Sequence, residues 1–350
     1  MSSKSLLAGL VIGLLIGAGA VYLAGPALGI GGAAQTYTLT SSGSTTVLPL
    51  SQEWASVIGD YYPNFIFNPN GGGSGQGQSD IAAGVVDIGA SSSYPGQDWR
   101  TANPNIKILP ISADALSIVV NTAVNGSVMH MDVDEACAIF ARNITTWEQF
   151  ESTFGVTVQA TGDIHVYARA DASGTTATFA KWLLTYDSYA NPHANYTWGY
   201  GDRESIDWAA GVNSVQGNPG VATGVKNDAN GIGYVGLAFT EGLTPAWLLN
   251  PSLGQYIEPT EENALNALPK TITDAGVNLF NSAQAEAYPI ARLIFYLISP
   301  TNVKWYTIAF LSWCLSVGQT YIAGVGYLPI EGSSAGVYAN SIIASMQPSS

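Results

Sequence analysis

The sequence predicts an α/β fold with a largely parallel sheet. Short apolar runs of strand character alternate with amphipathic helical patterns from about Tyr37 onward. Glycine- and hydroxyl-rich turns lead from strand to helix, where α/β sheets place their ligands. The chain has 350 residues, 47% of them hydrophobic and 10% charged, enough apolar material for two domains with their own cores.

Tyr37 to Thr40 reads as a short strand and Leu48 to Tyr61 as an amphipathic helix. Phe65 to Phe67 is a strand, Gly77 to Ala83 a helix, and Val85 to Ala90 another strand. Two separate strands follow, Ile106 to Leu109 and Ala115 to Asn121. Asp132 to Phe140 is helical with acidic residues in its first turn, and Trp147 opens a second short helix. Ile164 to Ala168 is a strand feeding a turn, and the helix Ala177 to Leu184 follows it. Gly211 to Gly220 reads as a loop, Val221 to Lys226 as a helix and Gly231 to Phe239 as a strand. Leu249 to Pro259, rich in Pro and Asn, reads as a connection. Ile290 to Ile298 is a strand and Asn302 to Val317 a helix.

The N-terminus carries Lys4 and is then uncharged from Leu6 to Tyr37, with Leu6 to Ala24 long enough for a membrane span. Residues 1–35 thus form an apolar helix and spacer, either a retained anchor or a signal cleaved near Ala18-Gly19-Ala20. Either reading places the rest outside the cytoplasm. No Cys lies near this segment, so attachment of lipid to an N-terminal Cys is excluded. Sequons at Asn125, Asn143 and Asn195 agree with export. Cys137 and Cys314 sit in apolar helical contexts and read as free buried thiols, a disulfide being permitted outside the cytoplasm but not indicated.

A net charge of −14 argues against nucleic acid and acidic membranes as partners. It does not argue against a buried anion, because distant charges are screened beyond roughly 10 Å. Three loops have the chemistry to hold one. They are Ser42-Gly43-Ser44-Thr45-Thr46, Gly71 to Ser79, and Arg169 to Thr176 with Ser173-Gly174-Thr175 at its centre. Each precedes a helical pattern, whose first turn offers unpaired N–H groups and a partial positive charge. Small residues admit close approach, and Ser and Thr add neutral donors. Taken singly, each loop is an ordinary turn; converging, they form an oxyanion cage.

Six segments in order resemble the substrate-binding protein of phosphate ABC transporters, from about residue 37 to 331. They are Gly43 to Leu50, Gly73-Ser74-Gly75 with Val86 to Ser92, Ile139 to Trp147, Arg169-Ala170-Asp171 with Ser173-Gly174-Thr175, Gly231 to Val235, and Gly326 to Pro329. The resemblance implies a two-lobed clamp of the periplasmic binding protein type, with two hinge crossings. Lobe I would be residues 36–115 with 256–350, and lobe II residues 116–255. It implies that Ser44, Thr45, Thr46, Ser74 and Ser92 face inorganic phosphate from lobe I, and Arg169, Ser173, Gly174 and Thr175 from lobe II. Asp171 would orient the guanidinium of Arg169 from behind. The implied partners are the anion and the membrane permease of an ABC transporter. The protein would be a monomer with no cofactor and no metal.

One position departs from the best-known branch, which has an Asp where Ser92 stands. That Asp accepts the proton of hydrogen phosphate and rejects sulfate, so rejection should be weaker here. Sulfate, molybdate or another tetrahedral oxyanion is the alternative ligand, and a surface structural protein that kept the fold is the alternative role. Enzyme patterns mostly fail; a secreted phosphatase of similar cage chemistry is the surviving enzyme alternative and would need a nucleophile or metal cluster that the sequence does not display. Gly332-Ser333-Ser334-Ala335-Gly336 has a nucleophile-elbow pattern, but His130, His165 and His193 all precede it. Gly231 to Gly236 has a dinucleotide spacing inside a strand pattern, and two Cys with three scattered His give no metal-site spacing.

Overall fold

The computed structural model describes residues 35–348 except 126–127, 186–195 and 302. The apolar N-terminal helix expected within 1–35 lies outside the described residues but for Gln35, as do parts of the sequons at Asn125 and Asn195; Asn143 is exposed. The strands are β1 (Tyr37–Gly43), β2 (Phe65–Pro69), β3 (Ile88–Ser91), β4 (Lys107–Val120), β5 (Met129–Met131), β6 (His165–Arg169), β7 (Val212–Val215), β8 (Gly231–Gly236), β9 (Thr244–Asn250), β10 (Gln255–Ile257) and β11 (Ala291–Ile298). The helices are α1 (Leu48–Tyr61), α2 (Ser74–Ala82), α3 (Gln97–Ala102), α4 (Val133–Phe140), α5 (Trp147–Phe154), α6 (Gly174–Leu183), α7 (Gly217–Lys226), α8 (Glu261–Leu265), α9 (Trp305–Cys314), α10 (Gln319–Ile322) and α11 (Ser334–Ala344).

The strands are ordered β2-β1-β3-β11-β4-β8-β6-β7, with β9 pairing to β4, β5 and β10. Each half is parallel at its outer side: β1 with β2 and β3, β6 with β7 and β8. The centre is antiparallel, because β11 runs against β3 and β4, and β4 against β8. The sheet is therefore mixed rather than largely parallel. The predicted pattern held for the outer strands, which helical crossovers connect; the two central strands reverse it.

β4 joins the halves. Lys107 to Ala115 pairs with β11, and Leu116 to Val120 with β8. The sequence reading split this strand in two. The register shift opposite Ile294/Phe295 leaves Ile111 without a partner, a bulge that absorbs the missing N–H of Pro110 and lets the strand run on.

Local chemistry explains most boundaries. Pro49 sits in the first turn of α1, and buried Leu50, Trp54 and Ile58 recur at the spacing of one helical face. Asp132 and Glu135 form a reciprocal capping box on α4. Thr146 caps α5, which ends on Gly155 in the left-handed region (φ 69°). The expected connection Leu249–Pro259 is instead the hairpin of β9 and β10. Alternate β9 residues Thr244, Ala246, Leu248 and Asn250 are buried, and this period of two decides the strand despite Pro245. Cys137 and Cys314 are free and buried.

Candidate functional site

The predicted loops, which come from both halves of the sheet, meet one another. Ser44 Oγ accepts the backbone N–H of Thr46 (3.1 Å) and of Val47 (3.3 Å), so this hydroxyl shapes the entry to α1. Thr45 Oγ1 accepts from Arg169 Nη2 at 3.0 Å and from the backbone and side-chain nitrogens of Asn218 at 3.3 Å. Thr46 Oγ1 shares a hydrogen bond with Thr175 Oγ1 at 2.9 Å.

The helix expected from Gly77 begins at Ser74, because Gly73 (φ 98°) turns the chain in a conformation that other residues rarely adopt. Ser74 Oγ accepts the N–H of Ser92 at 3.0 Å and lies 3.3 Å from Ser92 Oγ. From the other half, Ser173 caps α6 by accepting the N–H groups of Thr175 and Thr176, both at 3.1 Å. Gly174 packs so tightly that a Cβ there would fall 2.6 Å from Ser74 Oγ and 2.8 Å from Ser92 Oγ. All nine predicted ligand residues thus gather at one place.

Arg169 ends β6 and is 4% exposed. Its Nε donates to Asp171 Oδ1 at 2.8 Å, and Nη2 donates to Asp171 Oδ2 and Thr45. Nη1 is buried with no hydrogen-bond partner among the described residues. Asp171 Oδ1 also accepts the N–H of Gly217, the first residue of α7 (2.9 Å). Burial pushes the Asp171 carboxyl up, but the Arg169 fork and the Gly217 N–H outweigh it and hold it below the usual carboxylate range. Tyr234 OH accepts the N–H of Arg169 and hydrogen-bonds Thr176 Oγ1 at 2.6 Å; burial pushes the phenol up to about 12, so it stays neutral.

Several polar groups at this place were not singled out in the sequence. Asn218 is fully buried on α7, and its Nδ2 reaches Thr46 Oγ1 at 2.9 Å. Its stretch reads as loop because Gly217-Asn218-Pro219-Gly220 is turn chemistry, yet Pro in a first turn is also a helix-start signal. Arg292 on β11 and Asp114 on β4 form a buried ion pair in which Arg292 Nε donates to Asp114 Oδ2 at 2.9 Å. One signal pointed to it: Arg292 is the only charged residue between Pro289 and Lys304. Glu204 Oε1 accepts from Gln78 Nε2 (2.7 Å) and Ser93 Oγ (2.8 Å), tying the two halves together at the rim. Burial raises its carboxyl, against the two hydrogen bonds.

The arrangement is rich in donors and poor in free acceptors. Both oxygens of Asp171 and both of Asp114 take protein N–H groups. Among the described residues no group of His, Cys, Asp and Glu could hold a metal ion. Ser333 of the elbow-like pattern is the N-cap of α11, and Gly231 to Gly236 is strand β8. Chemically, hydrogen-bond donors of this kind suit an oxyanion.

Comparison with known proteins agrees with this chemistry. The chain is 27% identical over 309 residues to the phosphate-binding protein PstS of Haemophilus influenzae, covering 85% of this chain and 90% of that one. It is 26% identical over 306 residues to PstS of Xylella fastidiosa, covering 83% and 81%. In fold it is similar to a phosphate ABC transporter substrate-binding protein with bound phosphate from Clostridium perfringens (TM-score 0.64, 18% identity, 84% and 100% covered). It is also similar to a phosphate-binding protein from Stenotrophomonas maltophilia (TM-score 0.66, 18% identity, 88% and 93% covered). These relatives are binding proteins rather than enzymes. A family model described as the PBP superfamily domain matches residues 30–317, and the chain belongs to that family.

Proposed function

We propose that this chain is an extracytoplasmic substrate-binding protein that captures inorganic phosphate and delivers it to the membrane permease of an ABC transporter. The observation that carries the reading is Arg169 Nη1, a buried cationic donor without a partner among the described residues, on a guanidinium that donates to Thr45 and in a loop whose Thr175 hydroxyl meets that of Thr46. An unpaired buried donor costs on the order of 1–3 kcal/mol, more when charged, and an anion supplies the missing acceptor. The names of the curated relatives and structural neighbours support phosphate as that anion.

On this reading, residues 36–115 with 256–350 form one lobe, residues 116–255 the other, and the crossings lie in β4 and at the start of β10. Ser44, Thr45, Thr46, Ser74 and Ser92 serve from the first lobe; Arg169, Ser173, Gly174 and Thr175 serve from the second, with Asp171 holding Arg169. Ser173 and Ser44 act through the backbone turns they fix. The apolar N-terminal segment anchors or exports the protein, which works as a monomer.

A second reading, capture of sulfate or another tetrahedral oxyanion, is favoured by one detail: Ser92 stands where the resemblance would put a proton-accepting Asp. Isothermal titration of the soluble part with phosphate and with sulfate separates them. Phosphate should bind and sulfate bind more weakly. Heat with sulfate alone would replace the first reading with the second, and no heat with either would discard both.

A further inference from the structure

We propose that Arg292 is a second ligand-binding guanidinium, and that Asp114 positions it as Asp171 positions Arg169. The inference rests on the oxyanion reading above. Arg292 has five N–H donors. Its Nε and Nη2 donate to the single oxygen Asp114 Oδ2, at 2.9 and 2.5 Å. Nη1 donates to the backbone carbonyl of Ser92 at 3.2 Å. The two that remain reach neutral hydroxyls at the edge of hydrogen-bond range: Thr175 Oγ1 at 3.3 Å and Thr46 Oγ1 at 3.4 Å.

Those two hydroxyls are oversubscribed. Thr46 Oγ1 also takes Asn218 Nδ2, and the two threonines share one hydrogen bond with each other. Two guanidinium N–H groups, an amide N–H and two hydroxyl protons therefore compete for two oxygen atoms. A charged donor held at 3.3–3.4 Å from a neutral oxygen is far from its best partner, since bonds to an anionic oxygen run to about 2.7–2.9 Å and are roughly twice as strong. The surplus of donors points to an anionic oxygen at the Thr46–Thr175 junction.

The two pairs also mirror each other. Arg169 ends β6 and Asp171 stands on the loop after it; Arg292 and Asp114 stand on β11 and β4 in the centre of the sheet. Each Asp occupies the side edge of its guanidinium and leaves N–H groups of the end edge toward the predicted threonines. The ligand would be gripped by one charged fork from each half. Each carboxylate already accepts three protein N–H groups, which leaves it little capacity for a proton of the ligand.

The test uses the soluble part and two variants, with inorganic phosphate as probe. Arg292→Lys keeps the charge opposite Asp114 but loses the fork; Arg292→Gln with Asp114→Asn removes both charges together. The anion-free melting temperature reports whether the ion pair is needed for folding, and titration calorimetry reports binding. The Lys variant should melt near the parent and bind phosphate at least about tenfold more weakly. The double variant should lose about a hundredfold or more. Affinity within about twofold of the parent in either folded variant would overturn the proposal. If the double variant does not fold, the Lys variant decides alone. Failure of the parent to bind any tetrahedral anion would instead sink the reading on which it rests.

Discussion

Thr46 and Thr175, 129 positions apart in the chain, share a 2.9 Å hydrogen bond between side chains fixed at the starts of two different helices. The bond spans the two halves of the sheet. Thr175→Val keeps the shape and removes the hydroxyl, leaving Arg292 Nη1 and Thr46 with one partner fewer. Phosphate affinity should fall about tenfold, and anion-free stability by about 1–2 kcal/mol. Calorimetry and denaturant unfolding measure the two; unchanged affinity would remove Thr175 from the ligand's surroundings.

Asp171 matters through Arg169. An Asn there cannot accept from Nε, Nη2 and the Gly217 N–H together as the carboxylate does, and it leaves a buried guanidinium without a counter-charge. Asp171→Asn should cost about 3–5 kcal/mol and weaken anion binding. The folded carboxyl lies below its unfolded value of about 3.9, so its contribution is complete above that pH. It is lost as pH falls through the folded value. Acid unfolding curves of parent and variant should therefore converge at low pH; a constant gap down to the lowest pH would refute the linkage.

Gly174 tests how tightly the halves must approach. A methyl group there would collide with Ser74 Oγ and Ser92 Oγ, both on the opposite half. Gly174→Ala should hold the halves slightly apart and weaken phosphate binding at least about tenfold. Small-angle scattering of the phosphate-loaded protein should report a larger radius of gyration than the parent. Equal radii and equal affinity would show that the contact has slack.

Glu135, in the capping box of α4, makes a pH prediction. Burial, then the charge of Asp132, pushes its carboxyl up to about 8, despite the N–H it accepts from Asp132. Because the folded value exceeds the unfolded one, its contribution is full below about pH 4.3 and declines as pH rises toward 8. Glu135→Gln keeps an acceptor for that N–H and removes the titration. The melting temperature of the parent should drop more between pH 5 and pH 8 than that of the variant. An equal drop would assign the dependence to another group.

Reading from sequence worked where the information is local. Helix α1 was legible to the residue because Pro49 marks its start and Leu50, Trp54 and Ile58 trace one face. The three loops were legible because each sets small and hydroxyl residues just before a helix, although singly each is an ordinary turn. Other features were not, and three of them show why. β4 was split in two because a bulge at Ile111, invisible in one strand's sequence, accommodates Pro110. The β9–β10 hairpin was hidden by turn-forming residues that its pairing overrides. The Arg292–Asp114 pair escaped because the partners are 178 positions apart, and one charge in an apolar strand does not name its counter-ion.

The unbroken passage of β4 through both halves of the sheet has a mechanical consequence. Two domains joined by slack loops can drift through many orientations, whereas a hydrogen-bonded ribbon resists torsion and returns when released. The ion pair at Asp114 sits one residue from the point where the ribbon changes partners. If the chain captures and releases an anion as proposed, gripping it there would load the ribbon where it changes partners, and release would be assisted by its elastic recoil.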